Sequence, residues 1–483
     1  MMKSKNIIIL GVVLALLVGA YFFLTNRPEP EIPQVQSEKI SLLSFDKNEI
    51  EKIELTTDDG VLTFNQIEKE VEEEKDGKKE KVKKAMWEAE YPHEITLKQM
   101  SVDDIAYSFA NLQAERVIEE ETPDDLEPYG LKDPQAIAKA TLKDGSEKIL
   151  YLGDETPAGN TYYLMVHEDP KVYEVWTNHG QHFLSSLDDV RDKTLNAINP
   201  EEFAYLKIDN QDGRPIEIKL NDMQSEEQVQ YGLSLWQMSQ PFEEPMGVDS
   251  QALMDMLETL PTFSIGGFVE DGAQDLAKYG LDPESAKEFV IKDNENTIHL
   301  LFGKEFDEES IYFKTPDSDS VYSMKKSSVE FMDIKPFKLV EKFAYIVNID
   351  DVDKIIVEDK GKTHTLTLTR ETQKAEGEDE EDEVITTYKV DGEEVEEKPF
   401  KKAYQSIIGI LVDGESDIEL SENPEIKTTF FLNKGNNREV HINYVPFDND
   451  FYAVFRSGKA EFVVNQGIVH SMLDDIEKLI RGD

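Results

Sequence analysis

A motif centred on the tripeptide Tyr-Gly-Leu occurs twice in the chain, and it constrains the fold more than any other feature. Residues 126–134 (LEPYGLKDP) return as residues 276–283 (LAKYGLDP), with Tyr129 and Tyr279 separated by 150 positions. The flanking matches keep the same order and nearly the same offset: WEAEYP at 87–92 with WQMSQP at 236–241, Leu152-Gly153 with Phe302-Gly303, Tyr162 with Tyr312, and Val172-Tyr173 with Val321-Tyr322. Such a series indicates a duplicated structural unit.

A third, more diverged copy follows the duplicated pair. Residues 353–357 (DKIIV) repeat the opening pattern of residues 51–55 (EKIEL) and 204–208 (AYLKI), although the Tyr-Gly-Leu motif is missing. Residues 451–455 (FYAVF) match the tyrosine-containing segments that follow the motif in the other copies. We therefore predict three tandem modules after the amino-terminal segment. They span residues 41–197, 198–345 and 346–483.

Each copy combines segments of strand-like alternation with shorter helical segments. Two or three strands come first and a helix follows; after the motif come three or four more strands and a closing helix. In the first copy these later strands are expected at residues 138–142, 148–152, 162–166 and 172–176. The predicted helices occupy residues 103–114, 180–187, 250–260, 327–332, 401–411 and 467–480. Short turns between the strands favour antiparallel pairing. The predicted fold class is therefore α+β: an N-terminal transmembrane helix followed by three tandem repeats of a mostly antiparallel sheet with packed helices.

Particular residues mark turns and helix ends within this pattern. Gly130 and Gly280 close the Tyr-Gly-Leu element, where a tight turn favours the positive φ that other residues resist. Asp249 or Ser250 is the expected N-cap of the helix in the second copy, since short polar side chains accept hydrogen bonds from the first free backbone N–H groups.

Residues 7–24 (IIILGVVLALLVGAYFFL) form an unbroken run of apolar and small residues. A helix of this length extends roughly 27 Å, close to the thickness of a bilayer's hydrocarbon core. Lys3 and Lys5 precede the run, so the positive-inside rule places the amino terminus in the cytoplasm. We predict a single-pass cell-membrane anchor at residues 1–25, a linker at 26–40 and an extracytoplasmic body.

A cleaved signal peptide is the alternative interpretation of this segment, because residues 18–20 (VGA) resemble a cleavage site. The apolar run continues through Tyr21 to Leu24, beyond that site, which favours the retained anchor. A lipoprotein anchor is excluded because the chain contains no cysteine. The same absence excludes disulfides, thiolate nucleophiles and sulfur metal ligands.

The formal net charge of −50 restricts the partners of the body. Nucleic acid is excluded as a partner, because phosphate binding needs a basic surface. Anionic headgroups would repel the body, so the apolar helix is the expected membrane attachment. The acidity itself indicates either solubility and salt adaptation or a basic partner surface. Residues 68–84 and 376–383 concentrate the charge, and we predict solvated loops there, the first at a hairpin tip.

The loop at residues 153–163 (GDETPAGNTYY) has the richest polar content outside the charge blocks. Its glycines and hydroxyl groups could present backbone N–H groups to an anion or a sugar. Thr-Pro-x-Gly between two strands is also ordinary turn chemistry, and the second copy lacks it. The candidate ligand-binding or partner-binding residues are Gly153, Asp154, Thr156, Gly159, Tyr162 and Tyr163.

Other motifs point to no specific chemistry. His179 and His182 form an HxxH pair, but a metal site needs further ligands and the HExxH pattern is absent. The chain contains no nucleophile elbow, phosphate-binding glycine loop or dinucleotide fingerprint. We therefore predict no catalytic residue, no metal and no cofactor.

Residues 126–195 resemble the bacterial family known as domain of unknown function 4340. The resemblance rests on LEPYGLKDP, LGDETPAGNTYY, VYEV and SLDDVRDKTL, and it weakens in the second and third copies. It implies a single-anchor envelope protein of the kind often encoded beside the permease and ATPase of a gliding-type ABC exporter. It implies no catalytic residues, because the family has none established.

The leading hypothesis is a non-enzymatic, membrane-anchored accessory protein that binds a partner in an ABC-type envelope transport system. Repeated modules favour it, because they build extended surfaces without a unique active site. An envelope hydrolase acting on glycan or peptide, with its site at residues 153–163, is the alternative from a different class. A structural spacer that holds a partner away from the membrane is a third.

Overall fold

The computed structural model describes residues 40–75, 78–221, 234–373, 383–416, 420–435, 438–456 and 458–482. The chain divides into two compact units between Asp192 and Lys193. Within the described part, no helix combines the length and the apolar character needed to cross a bilayer. The predicted anchor at residues 1–25 and the linker up to residue 39 lie outside the described residues.

The first unit contains one nine-stranded sheet in the order β1-β5-β9-β8-β7-β6-β2-β3-β4, with every neighbouring pair antiparallel. Its strands are β1 (Ile40–Ser41), β2 (Ile50–Thr57), β3 (Gly60–Lys75), β4 (Lys78–Ala89), β5 (Gln113–Glu119), β6 (Ala136–Leu142), β7 (Glu147–Glu155), β8 (Thr161–Val166) and β9 (Val172–Trp176). Its helices are α1 (Gln99–Ala110), α2 (Thr177–Phe183) and α3 (Leu187–Val190).

The second unit begins with a sheet in the order β13-β12-β11-β10-β15-β16-β17-β18-β14, again fully antiparallel. Its strands are β10 (Tyr205–Asp209), β11 (Ile216–Leu220), β12 (Trp236–Gln240), β13 (Met246–Gly247), β14 (Gly267–Glu270), β15 (Lys287–Lys292), β16 (Thr297–Glu305), β17 (Ser310–Lys314) and β18 (Val321–Lys325). Helix α4 spans Ser250–Thr259, and a 3-10 helix at Lys326–Asp333 follows the last strand.

The third sheet has the order β22-β21-β20-β19-β24-β25-β26-β27-β23 and is also antiparallel throughout. Its strands are β19 (Val352–Asp359), β20 (Lys362–Gln373), β21 (Glu383–Val390), β22 (Glu393–Val395), β23 (Gly414–Glu415), β24 (Ile426–Leu432), β25 (Glu439–Pro446), β26 (Phe451–Arg456) and β27 (Lys459–Asn465). Its helices are α5 (Glu397–Ile408) and α6 (Gln466–Arg481).

The three sheets share one topology over eight strands. The first sheet has β1 as an additional edge strand, whereas the second and third have an additional strand, β13 and β22, at the opposite edge. In each copy, the opening strand pairs on one side with the next strand in sequence. On its other side it pairs with the first strand after the Tyr-Gly-Leu position, which gives the pairs β2–β6, β10–β15 and β19–β24. The third copy therefore folds like the others despite having lost the Tyr-Gly-Leu motif. The predicted α+β class with three tandem, mostly antiparallel sheets is confirmed, whereas the predicted module boundaries stay predictions.

The turn predicted at the Tyr-Gly-Leu motif is a short 3-10 helix ended by a glycine. It spans Glu127–Tyr129 in the first copy and Leu276–Tyr279 in the second. Gly130 has φ +64° and Gly280 has φ +67°, as the sequence predicted. The N-cap of α4 is Asp249, whose side chain accepts hydrogen bonds from the next backbone N–H groups.

Several predictions of local structure were wrong in detail. The helix expected at residues 180–187 spans Thr177–Phe183, and the one expected at 401–411 spans Glu397–Ile408. The helix expected at residues 103–114 begins and ends four residues earlier, because its first residue has no side-chain cap to mark it and Gln113 already belongs to β5. The charged residues 68–75 and 78–84 belong to strands β3 and β4 rather than to a loop, although the two strands pair as the predicted hairpin, with Glu70 in register with Lys83. Residues 374–382, which contain most of the other acidic block, lie outside the described residues.

The apolar cores follow the two units. In the first unit, α1 and α2 pack on one face of the sheet, with the rings of Phe109 and Phe183 4.9 Å apart. In the second unit, one continuous core contains buried residues of both sheets, including Phe289 from β15 and Phe430 from β24. The second and third sheets therefore stabilise each other through a shared apolar interior.

Candidate functional site

All six residues singled out from the sequence lie on one hairpin of the first sheet. Gly153 and Asp154 lie near the end of β7, Thr156 and Gly159 lie in the turn, and Tyr162 and Tyr163 follow the first residue of β8. The N–H of Thr156 donates to the carbonyl oxygen of Thr161, and the N–H of Gly159 donates to that of Thr156, both at 2.8 Å. Two of the backbone N–H groups that could have bound an anion are thus already hydrogen-bonded within the turn.

Gly153 packs against the Tyr-Gly-Leu turn. A Cβ atom added at Gly153 would lie 2.1 Å from the carbonyl oxygen of Tyr129, and one added at Gly130 would overlap Asp154. The second copy repeats the arrangement, since a Cβ at Gly303 would lie 2.2 Å from the carbonyl oxygen of Tyr279. The glycines shared by both copies therefore serve close packing between a turn and a strand.

The motif tyrosine has equivalent partners in both copies. Strand pairing makes Tyr163, and not Tyr162 as the sequence predicted, the counterpart of Tyr312, because Leu152 pairs with Leu164 and Phe302 pairs with Phe313. In the first copy, the Tyr129 hydroxyl donates to Glu119 at 2.5 Å, and its ring stands edge-on to Tyr163 at 5.2 Å. The hydrogen bond to Glu119 and burial raise the pKa of Tyr129.

In the second copy, the Tyr279 hydroxyl donates to Glu270, and its ring contacts Tyr312 at 5.0 Å. Sequence reasoning did not identify either glutamate, because each belongs to a strand that it did not predict. Tyrosine and glutamate together join the turn to β5 in the first copy and to β14 in the second.

A buried chain of polar side chains runs beneath the hairpin. The Thr156 and Thr161 hydroxyl groups lie 2.7 Å apart, and Thr161 donates to Glu174 at 2.6 Å. Arg116 pairs with the other oxygen of Glu174. Burial by itself would raise the pKa of Glu174, but the hydrogen bonds from Thr161 and Arg116 outweigh burial and hold it below the usual range. Thr161 and Glu174 are only 2% and 7% exposed, so this chain stabilises the hairpin from inside.

The remaining tyrosine of the hairpin packs against helix α2. A Cβ at Gly180 would lie 2.4 Å from the ring of Tyr162, so that glycine allows the helix to approach. Burial raises the pKa of Tyr162. Asp154, Glu155, Gly159 and Asn160 are exposed, and they form the accessible part of the candidate site. This surface offers two carboxyl groups and an amide to a partner.

The histidine pair lies nearby, on α2. His182 Nδ1 is 2.7 Å from the Ser108 hydroxyl, and burial lowers the pKa of His182. His179 is buried. In the described ranges, no group of three or more His, Cys, Asp or Glu residues is placed to hold a metal ion.

A cavity that no sequence motif marked lies in the second unit. It has a volume of about 480 Å³ and contains Glu461 of β27 in its lining. Glu461 is followed by Phe462, Val463 and Val464, and a charged residue beside such an apolar run was the only signal in the sequence. The cavity lies within residues 193–483 and so does not include the predicted hairpin.

Comparison with family models identifies one match. The model described as domain of unknown function (DUF4340) matches residues 87–247 and again residues 236–411, so the two matches together cover most of the chain. They begin at the two equivalent tryptophans, Trp87 and Trp236, in agreement with the internal repeat. No curated protein and no solved structure matches the chain.

Proposed function

The chain belongs to the family described as domain of unknown function (DUF4340), and from this premise we propose that it is a non-enzymatic accessory protein. It is held in the cell membrane by residues 1–25, and its acidic body lies outside the cytoplasm. It binds a protein partner, a subunit of an ABC-type envelope transport system.

One observation carries the proposal: the motif residues common to the first two copies contact one another. The carbonyl oxygen of Tyr129 packs against Gly153, and its hydroxyl group donates to Glu119. The carbonyl oxygen of Tyr279 packs against Gly303 in the same way. Residues that perform chemistry need polar atoms free to meet a substrate. The shared motif is instead used to hold a turn against a strand. What the copies have in common is therefore a shape, which suits a scaffold for binding.

The surface chemistry supports a protein partner. The exposed groups of the hairpin, Asp154, Glu155 and Asn160, are acidic or polar, and the whole chain carries a net charge of −50. Complementary charge accelerates the encounter of two proteins and selects among partners. The partner surface that fits these groups is basic.

Site-specific crosslinking in intact membranes tests the proposal. A photoreactive amino acid at Asn160 of the full-length protein is expected to capture a permease subunit. The matched control position is Glu308, which is exposed in the equivalent turn of the second sheet. Failure to recover any transporter subunit from Asn160, and from mild chemical crosslinking of the unmodified protein, would overturn the proposal.

Protease treatment tests the topology independently. Protease added outside the cytoplasmic membrane is expected to digest the body while sparing cytoplasmic proteins. A body that is cut only after the membrane is opened would contradict the extracytoplasmic location. A mature protein that begins near Tyr21 would contradict the retained anchor.

The two alternatives make different predictions. A hydrolase with its site on the hairpin requires Asp154, Glu155 or Tyr162, so replacing all three must abolish its phenotype. Glycoside hydrolysis commonly uses two carboxyl groups, whereas Glu461 is the single carboxyl residue among the described lining residues of the 480 Å³ cavity. A pure spacer tolerates the deletion of one whole module.

A further inference from the structure

Strand β4 forms the outer edge of the first sheet, and within the described ranges no further strand pairs with it. In the other two sheets the same edge carries one more short strand. There, β13 pairs with Gln237 and Met238 of β12, and β22 pairs with residues 388–390 of β21. The first sheet has only a side chain at that place, the Gln99 amide, which bonds both backbone groups of Trp87. This edge is therefore a position at which the fold accepts an additional strand.

The bonds of Gln99 also show which backbone groups of β4 point outward. Because Gln99 is not part of β3, the N–H and carbonyl groups of Trp87 that it bonds point away from β3. Backbone groups along an antiparallel strand alternate between its two sides with a period of two residues. The backbone groups of Lys81, Lys83 and Ala85 therefore point outward as well. All three residues are exposed, and no described residue outside the strand bonds their outward groups.

This part of the edge is strongly basic. Residues 78–84 (KKEKVKK) contain five lysines and one glutamate, in a chain whose net charge is −50. Lys83 Nζ lies 4.0 Å from Glu68, and because both side chains are largely exposed this ion pair is weak. Lys84 is in register with Lys69, so like charges face each other across the two strands. Carboxylates placed along the outside of β4 would offset this positive charge.

We propose that the outward edge of β4 from Lys81 to Ala85 binds an acidic, extended segment of a partner protein, which adds to the sheet as a further strand. The backbone of that segment exchanges hydrogen bonds with Lys81, Lys83 and Ala85. Its carboxylates lie beside the lysine side chains of β4. In strand addition, main-chain hydrogen bonds supply the affinity and the side chains select the partner.

The same lysines disfavour a second copy of β4 as the occupant. Antiparallel pairing of two β4 strands would place lysines beside lysines, and like charges directly opposite each other are destabilising. Lysine on an edge strand commonly protects against such self-pairing. The site is also separate from the candidate hairpin, because β7, β6, β2 and β3 lie between β8 and β4 in the sheet. The inference therefore does not depend on the proposed function.

Fluorescence anisotropy of a labelled acidic peptide, which alternates glutamate with valine over eight residues, tests the proposal. The full-length chain is held in lipid nanodiscs, and empty nanodiscs supply the background. Ala85→Pro removes one outward N–H donor without changing the charge, at the kind of edge position where proline is tolerated. We expect at least a tenfold loss of affinity. Ala85→Val keeps the donor and is the matched control, which is expected to bind like the wild type.

A second pair of variants tests the charge. The double variant Lys81→Gln/Lys83→Gln keeps the backbone edge and is expected to bind the acidic peptide at least fivefold more weakly at low ionic strength, where electrostatic attraction is least screened. Lys325→Gln/Lys335→Gln removes two exposed lysines of the second unit and is the control. Its affinity is expected to equal that of the wild type. Equal affinity of the two double variants would contradict the selection of an acidic partner.

Two further peptides test strand addition on the unmodified protein. A peptide with lysine in place of glutamate, and an acidic peptide methylated at every backbone nitrogen, are both expected to show no measurable binding. Binding of the methylated peptide as tightly as the parent would overturn the proposal, since it would show charge attraction without strand pairing. Equal affinity for Ala85→Pro and Ala85→Val, with both folded by circular dichroism, would overturn it as well.

Sedimentation velocity distinguishes the other occupant. The wild type is expected to show no self-association that Ala85→Pro abolishes. A dimer that Ala85→Pro disrupts, together with no binding of the acidic peptide, would assign the edge to a second copy of the chain and overturn the proposal.

Discussion

The carbonyl oxygen of Tyr129 occupies the space where a side chain at Gly153 would begin, with only 2.1 Å to the position of a Cβ atom. Tyr279 and Gly303 repeat this relationship at 2.2 Å. Two glycines that look like loop residues in the sequence are therefore packing residues. The contact joins the Tyr-Gly-Leu turn to the strand that leads into the candidate hairpin.

Replacing Gly153 with alanine is expected to destabilise the first unit by about 1–3 kcal/mol, because the added methyl group meets backbone that cannot move aside cheaply. Gly303→Ala is expected to have a similar effect in the second unit. The measurement is the urea midpoint of each unit, followed by hydrogen exchange of β7 and β16.

Gly414→Ala is the control for both glycine variants. A Cβ atom there would lie 3.8 Å from a methyl group of Val463, which is an ordinary contact. This variant is expected to match the wild type. If Gly153→Ala unfolds at the same urea concentration as Gly414→Ala, the close approach to Tyr129 does not restrain the turn.

Thr161→Val is expected to destabilise the hairpin by about 1–3 kcal/mol, because it leaves buried Glu174 without one of its donors. The substitution also removes a hydrogen bond that lowers the pKa of Glu174. Since the folded pKa of Glu174 is below its unfolded value, its contribution to stability is present above the unfolded pKa and is lost as pH falls through the folded pKa. The variant is therefore expected to gain less stability than the wild type as the pH rises from 3 to 6.

Urea unfolding across that pH range measures this effect. Thr369→Val, at an exposed position on β20, is the control and is expected to stay within about 0.5 kcal/mol of wild type. A Thr161→Val protein with the stability and pH profile of Thr369→Val would show that the buried polar chain contributes nothing.

Gln99→Ala is expected to loosen the outer edge of β4. The side chain of Gln99 bonds both backbone groups of Trp87, accepting at 2.7 Å and donating at 2.9 Å. In the second sheet, the backbone N–H of Val248 bonds the carbonyl oxygen of the equivalent Trp236 at 3.0 Å. A side-chain amide thus takes the place of an edge strand, and its loss is expected to cost about 1–2 kcal/mol.

Hydrogen exchange of the Trp87 amide is the direct measurement and is expected to accelerate. Gln251→Ala removes a glutamine whose side-chain amide bonds Asp255 on the exposed side of α4, and it serves as the control. Unchanged protection of Trp87 in Gln99→Ala would argue that water replaces the amide at no cost.

Glu461→Gln is expected to stabilise the second unit increasingly as pH rises from 5 to 8. Burial raises the folded pKa of Glu461 above its unfolded value. The contribution of such a group is fully present below the unfolded pKa and is lost as pH rises through the folded pKa. Glutamine does not titrate, so the urea midpoint of the variant should rise relative to that of the wild type as the pH increases. A constant difference between the two, matching the control Glu397→Gln on the exposed start of α5, would contradict the burial of an ionisable group.

Strands whose side chains alternate between core and solvent were predictable from local pattern. The expected strand at residues 172–176 agrees with β9, and the one at 138–142 misses only the first two residues of β6. Buried residues alternate strictly with more exposed ones along β6, so the order of apolar and polar residues in the strand itself shows which face is buried. The repeat then allowed this pattern to be transferred from one copy to the next.

Strands that depend on distant partners were not predictable in the same way. β5, β14 and β23 each lie between a helix and the second half of a copy, and each pairs with the last strand of its sheet. In β5, Arg116 is in register with Glu174, far along the chain. Local sequence does not contain that partner, and the helix prediction extended into the strand as a result.

The sequence by itself determined the repeat, the antiparallel α+β class and the turn glycines, because alternation, spacing and the steric freedom of glycine are local properties. It also showed that the six hairpin residues lie together, because they are neighbours along the chain. Only the tertiary structure decided that Gly153 meets Tyr129, that Thr161 supports Glu174, and that Glu461 lines a cavity. Each of these depends on segments that meet through sheet pairing and a shared core, and their free energies arise from contacts that do not exist until the chain is folded.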